Sequence, residues 1–226
     1  MHVSKQILSF LKNLDLKTEL PDEVKVMNPF KEEYTYNICR QFYNKYYGDN
    51  NNRHLILGIN PGRFGGGITG IPFTDPLRLA SVCGIENKFQ KKQELSSLFI
   101  YDVIASFGSA ASFYSKFYIS SICPLGFTKH NKNLNYYDDK VLEKSIKNFV
   151  IQSMNKQLQF CGRQDVAFCL GEGKNFAYFT KLNKEMKFFK KIVPLAHPRF
   201  IMQYKLKKKD EYIERYLCEL SVVDNE

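Results

Sequence analysis

The sequence predicts an α/β fold: a single-domain, three-layer α/β/α sandwich around a central, mainly parallel four-stranded sheet. Four short apolar runs, at 54–59, 117–122, 166–170 and 191–196, have the length and near-continuous hydrophobicity of strands buried on both faces. Segments with apolar residues at helical spacing separate them, the alternation that builds a parallel sheet between helical layers. Stretches of unusual polarity follow three of the four runs directly, where ligands bind in sheets of this kind.

Taken in order, Val3, Ile7, Leu11 and Leu14 fall on one helical face, as do Tyr34, Ile38, Phe42 and Tyr46. Pro21 and the pair Asn28-Pro29 separate these two helices. The first strand, 54–59, runs into a loop crowded with glycine and proline. Asp75-Pro76-Leu77 starts a short helix ending near Gly84, with Pro in the first turn where its missing N–H costs nothing. A second short helix covers Ile100 to Phe107, and the second strand ends at Cys123-Pro124.

The polar segment Thr128 to Asn135 reads as a loop. A long helix follows, with Leu142, Ile146, Phe149, Val150, Met154 and Leu158 on one face. The third strand, Val166 to Leu170, stops at Gly171-Glu172-Gly173, and Phe176, Phe179 and Leu182 mark the next helix. The fourth strand ends at His197-Pro198-Arg199. A last helix, about 203–221, is expected to bury Leu206, Ile213, Tyr216, Leu217 and Leu220. One domain over 1–226 is expected, its N-terminal helices (about 1–48) packed on the core; 226 residues suffice for one sizeable core.

The formal net charge is +10, and it is unevenly placed. Between Lys181 and Lys209 stand ten Lys or Arg side chains against the single acid Glu185. Such a block suits a polyanionic partner, nucleic acid first, because neutralising phosphates releases condensed counterions. A solvated lysine-rich face is the plainer alternative on charge alone. The six cysteines show neither close pairs nor histidine partners at metal spacing, so no metal and no cofactor are expected. No run of about 18 apolar residues occurs. The expectation is a cytoplasmic protein with reduced thiols, no membrane partner, and a monomer by default.

The stretch from Gly58 to Phe73 is the densest signal. Its glycines let a flat ligand approach the main chain, and its prolines stiffen the same loop. Taken alone it is as compatible with an ordinary turn as with a site. Asn60 alone could tie a turn, a lone His197-Pro198 is weak evidence, and Phe73 could simply be core.

Together, the spacing resembles the uracil-DNA glycosylase superfamily, and within it the second, bacterial subgroup of the single-strand-selective monofunctional branch. The branch's first motif, Gly-x-Asn-Pro-Gly-x-Phe-Gly-x-x-x-Thr-Gly-x-Pro-Phe, is met at every fixed position from Gly58 to Phe73. Its second motif begins His-Pro, as His197-Pro198 does. Its third places a base-reading polar residue two positions before Cys-Pro, here Ser121. The likeness extends from about Leu55 to Tyr204.

The resemblance implies a monofunctional DNA glycosylase that hydrolyses the N-glycosidic bond of a flipped-out, deaminated or damaged base in base excision repair. Asn60 would hold the water, positioning it without taking its proton, and His197 would donate a hydrogen bond to the departing base. Phe73 would stack on that base. Gly58, Ile59, Pro61, Gly62, Phe64, Gly70 and Ser121 would complete the base pocket. Pro198, Arg199 and Phe200 would enter the DNA groove as the family's wedge, Phe200 being equally readable as the first buried residue of the last helix. The charge of Lys205, Lys207, Lys208 and Lys209 suits contact with phosphates of DNA containing a damaged base.

Ser121 departs from the pattern, because better-known members of the branch place Asn there. A rotating hydroxyl reads a base edge less exactingly than an amide, so xanthine or hypoxanthine stand beside uracil as candidate substrates. Two rival readings stay open on sequence: a non-catalytic damaged-base or nucleic-acid-binding domain on this scaffold, and a nucleotide-binding α/β hydrolase. Against the second, the loop lacks the Lys-Ser/Thr ending of a P-loop.

Overall fold

A computed structural model describes residues 2–221. The chain runs α1 (Val3–Lys12), β1 (Val24–Met27), α2 (Glu33–Tyr46), β2 (Arg53–Gly58), α3 (Gly66–Thr69), α4 (Pro76–Ser81), α5 (Leu95–Phe107) and α6 (Ala110–Lys116). It continues through β3 (Phe117–Ser121), β4 (Gly126–Lys129), β5 (Lys132–Leu134), α7 (Lys140–Ser145), α8 (Lys147–Cys161) and β6 (Gly162–Leu170). The last elements are α9 (Lys174–Met186), β7 (Lys191–Leu195), α10 (Pro198–Tyr204) and α11 (Lys209–Ser221).

The four expected strands form one parallel sheet in the order β3-β2-β6-β7. Alternate side chains along β3 show why both faces must be apolar. The ring of Tyr118 packs against Tyr43 of α2 and Phe160 of α8, whereas that of Phe117 meets Phe107 of α5 and Phe113 of α6. Helices therefore cover the sheet on both sides, which is why the runs read as continuously hydrophobic. Pro194 lies in β7, an edge strand, where its missing N–H leaves the ladder intact.

Register brings the carboxyl ends of the strands level. Gly58 pairs with Ser121, and Leu170 with Leu195. The β2–β3 pairing also continues past the strand ends, with Ile122 N–H donating to the Gly58 carbonyl (2.9 Å) and Cys123 N–H to that of Ile59 (3.1 Å). Ile59 and Ser121 are thereby fixed side by side.

Three expectations are corrected. Thr128 to Asn135 is no loop: β4 and β5 form an antiparallel hairpin that pairs through β4 with β1, making a second, three-stranded sheet. Its two-residue turn, His130-Asn131, has positive φ at both residues (49° and 58°), the conformation tight hairpins require. The expected helix at about 203–221 is broken, because α10 starts at Pro198 and a short 3₁₀ turn, Leu206–Lys208, separates it from α11. On that turn Leu206 is 58% exposed rather than buried. The long helical stripe from Leu142 belongs to two helices, α7 and α8, meeting at Ile146.

Candidate active site

The carboxyl ends of the parallel strands open into a cleft of about 680 Å³, a size suited to a nucleotide-scale ligand. Its floor comes from the glycine loop. The carbonyl of Gly62 accepts the Gly67 N–H (2.9 Å), while Thr69 Oγ1 donates to the Thr74 carbonyl (2.7 Å) and accepts the Ile71 N–H (3.2 Å). Gly70 closes α3 at φ 72°, and a Cβ there would strike Cys39 Sγ. Its lack of a side chain serves loop closure, and it does not line the cleft.

Gly58 has a different reason to be glycine. A Cβ would stand 2.8 Å from the ring of Phe73, so the bare strand end lets that ring lie against the backbone. Phe73 itself holds φ at 52°, a left-handed conformation that a bulky residue rarely adopts and that costs about 1–3 kcal/mol. The strain sets the half-buried ring at the cleft wall, where its centroid is 6.1 Å from that of His197.

Asn60 lines the cleft with its amide held at both ends. Nδ2 donates to the Leu134 carbonyl (3.2 Å), and Oδ1 accepts the Tyr136 N–H (3.1 Å). These partners fix which end of the amide is oxygen, and one lone pair of Oδ1 is still available for a water. The support has a second tier: Tyr136 OH donates to Asn175 Oδ1 (2.7 Å), and Asn175 Nδ2 donates to the Leu170 carbonyl at the end of β6 (3.1 Å). Asn60 is thus tied through the hairpin to a neighbouring strand end.

His197 is the residue before α10, and its Nδ1 accepts the Arg199 N–H at 3.1 Å. That bond places the proton of the neutral ring on Nε2, leaving an N–H donor. Burial first, and the nearby Arg199 guanidinium second, push the imidazole down to about 4. The ring is therefore an uncharged donor at neutral pH. Gly171, at φ 121°, donates its N–H to the Leu195 carbonyl (2.7 Å) and passes beneath His197 without a side chain.

Ile59, Asn60, Pro61, Gly62, Phe73, Ser121, His197, Arg199 and Phe200 line one cleft, although they span most of the chain. Ser121 is only 4% exposed, whereas Phe200 is 42% exposed and stacks its ring 5.7 Å from that of Tyr204. Pro198 is buried in the first turn of α10 beneath the lining. Phe64 lies apart from the cleft, its ring centroid 4.6 Å from the Arg63 guanidinium and 3.8 Å from Lys92 Nζ. Lys205, Lys207 and Lys208 are exposed beyond the cleft's edge, and Lys209 Nζ is held by Asp102 Oδ2 at 3.0 Å.

Sequence reasoning missed part of this lining. Asn133, Asn135 and Tyr137 come from the hairpin and the segment after it, whose one sequence signal was the His130-Asn131 turn. Glu94 precedes α5 in a polar stretch that carries no motif. Burial first, and the neighbouring Asp75 second, push its carboxyl up to about 7 against the opposing pull of Arg199. Histidine and glutamate have exchanged their usual order of titration in this cleft.

A family model described as the Uracil DNA glycosylase superfamily matches residues 45–221. Among solved structures, the crystal structure of wild-type SMUG2 from Pedobacter heparinus is similar over the whole chain. It is 49% identical, the match covers 100% of both chains, and the TM-score is 0.97. No curated protein matches the sequence.

Proposed function

Since the chain belongs to the uracil DNA glycosylase superfamily and is a DNA glycosylase, we propose that this cleft receives one extruded base and hydrolyses its N-glycosidic bond. Uracil and its derivatives, together with xanthine or hypoxanthine, are the proposed substrates, and an abasic site is the product. The observation that carries the reading is the pairing, in one cleft, of a tethered amide at Asn60 with a neutral Nε2–H donor at His197.

A base departing as an anion needs a donor placed where charge develops. A neutral imidazole supplies one without changing its own protonation. Asn60 offers a lone pair to the attacking water but cannot take its proton, so its contribution is orientation. Phe73 stacks on the base, and the Ser121 hydroxyl meets its edge as donor or acceptor.

Alkaline strand scission of oligonucleotides carrying single uracil, hydroxymethyluracil, xanthine or hypoxanthine lesions tests the reading. Product from at least one lesion is expected, and none from any lesion would overturn it. Because a hydroxyl discriminates less than an amide, Ser121→Asn should raise the ratio of uracil to xanthine excision about tenfold. An unchanged ratio would remove Ser121 from base reading.

We also assign Lys205, Lys207 and Lys208 to phosphate contact. Replacing all three by alanine should reduce the slope of log affinity against log salt for single-stranded DNA by about two. Lys209→Ala should leave that slope nearly unchanged, since its ammonium is held in a half-buried pair with Asp102, whereas the pair of Lys208 with Glu211 is exposed and readily exchanged for a phosphate. Titration by fluorescence anisotropy at several salt concentrations separates the two outcomes.

A further inference from the structure

Glu94 stands in the wall of the cleft with a fixed backbone and an uncommitted head. Its N–H donates to Asp75 Oδ2 at 2.9 Å, which pins the residue at the start of α5. Among the described residues its carboxyl accepts no hydrogen bond and forms no ion pair, although it is half-buried and lines the cleft with Phe73, Ser121 and His197. Room for it is made by Gly65, where a Cβ would collide with Glu94 Oε2. A carboxyl in the cleft wall without a protein partner is a polar group available to whatever fills the cleft.

The charged groups around it limit what it can contact. Asp75, fully buried, is occupied by the Leu77 and Arg78 N–H groups and by the Arg78 guanidinium (3.4 Å). Arg199 approaches from α10, and His197 faces the same space uncharged. An ionised carboxylate there would repel a phosphate or a base carbonyl and could only accept from a base N–H. A neutral acid there offers one O–H donor.

Resting on the reading of the cleft as a base site, we propose that Glu94 contacts the extruded base, its carboxyl O–H donating to a base carbonyl oxygen. Uracil, xanthine and hypoxanthine all present such an oxygen. The raised titration of Glu94, to about 7, keeps the acid form populated up to neutral pH. The donor is present below that point and is lost as pH rises through it. His197, pushed down to about 4, stays neutral across the same window and adds no inflection there.

Single-turnover release of uracil from a single-stranded oligonucleotide, followed from about pH 5.5 to about pH 8.5, tests this with wild type, Glu94→Gln and Glu94→Ala. The wild-type rate should fall about tenfold as pH rises through neutrality. Glu94→Gln, a permanent donor of nearly the same shape, should flatten the profile and hold within about threefold of the acid-side wild-type rate. Glu94→Ala should also be flat, at a rate about tenfold or more below wild type on the acid side. A Gln variant that keeps the wild-type limb, or an Ala variant with wild-type rates, overturns the assignment. Those outcomes leave the base-site reading standing if His197→Ala still lowers release about 10²-fold or more. A wild type that releases no base from any lesion removes both.

Discussion

Replacing His197 by alanine should lower the single-turnover rate of base release about 10²- to 10³-fold, the usual cost of removing one preorganised donor from a developing anion, roughly 3–4 kcal/mol. The protein should still fold, because the side chain's structural bond is one hydrogen bond to the Arg199 N–H, worth about 1 kcal/mol as a helix cap. His197→Gln, whose amide retains an N–H, should recover part of the rate, and an alanine variant at wild-type rates would exclude a donor role. The sign of the pH dependence follows from the depressed titration at about 4. Between the ordinary imidazole range and that value the unfolded chain carries a proton that the folded chain refuses. Folding stability therefore falls as pH drops through this window, and the wild-type rate should show no loss from imidazole charging above it.

Asn60→Ala should cost about 10²- to 10³-fold in rate and also lower stability by more than His197→Ala does. The amide is the partner of both the Leu134 carbonyl and the Tyr136 N–H, so its removal strands two backbone groups at a cost of about 1–3 kcal/mol each where they stay buried. Rate measurements and thermal denaturation together separate the two effects. Asn60→Asp is the instructive contrast. A carboxylate could accept the water's proton, but its second oxygen would face the Leu134 carbonyl that Nδ2 now satisfies. The variant should therefore not exceed the wild-type rate, despite carrying a better base. A faster Asp variant would show that the tether to the hairpin is dispensable.

The parallel sheet was legible because its strands are buried on both faces and interrupted by helical periodicity, patterns that composition and spacing encode locally. The cleft was legible where it is built from strand ends, as Asn60, Ser121 and His197 are, and from the glycine loop that carries Phe73, since their spacing carries a motif. What escaped depends on distant pairing. Strand β1 has only four residues, and its partner β4 lies about a hundred positions away, so neither alternates long enough to announce itself. Leu206 continued an apolar stripe on paper, but α10 ends at Tyr204 and the following turn rotates it into solvent. Phe64 satisfied the motif yet stacks with Arg63 and Lys92 outside the cleft, a contact that spacing does not reveal. Glu94 is set apart by burial, by Asp75 and by the space left at Gly65, none of which is a property of its neighbours in sequence.

Asn60 and His197 are proposed to act together on one bond. Release of free uracil from a single-stranded oligonucleotide, measured in chelator with wild type, each single alanine variant and the double variant, tests it most directly. Product from wild type is predicted, with a loss in each single variant and a loss in the double variant well short of their product, as expected for groups working on one transition state. Undiminished release by the double variant would contradict it.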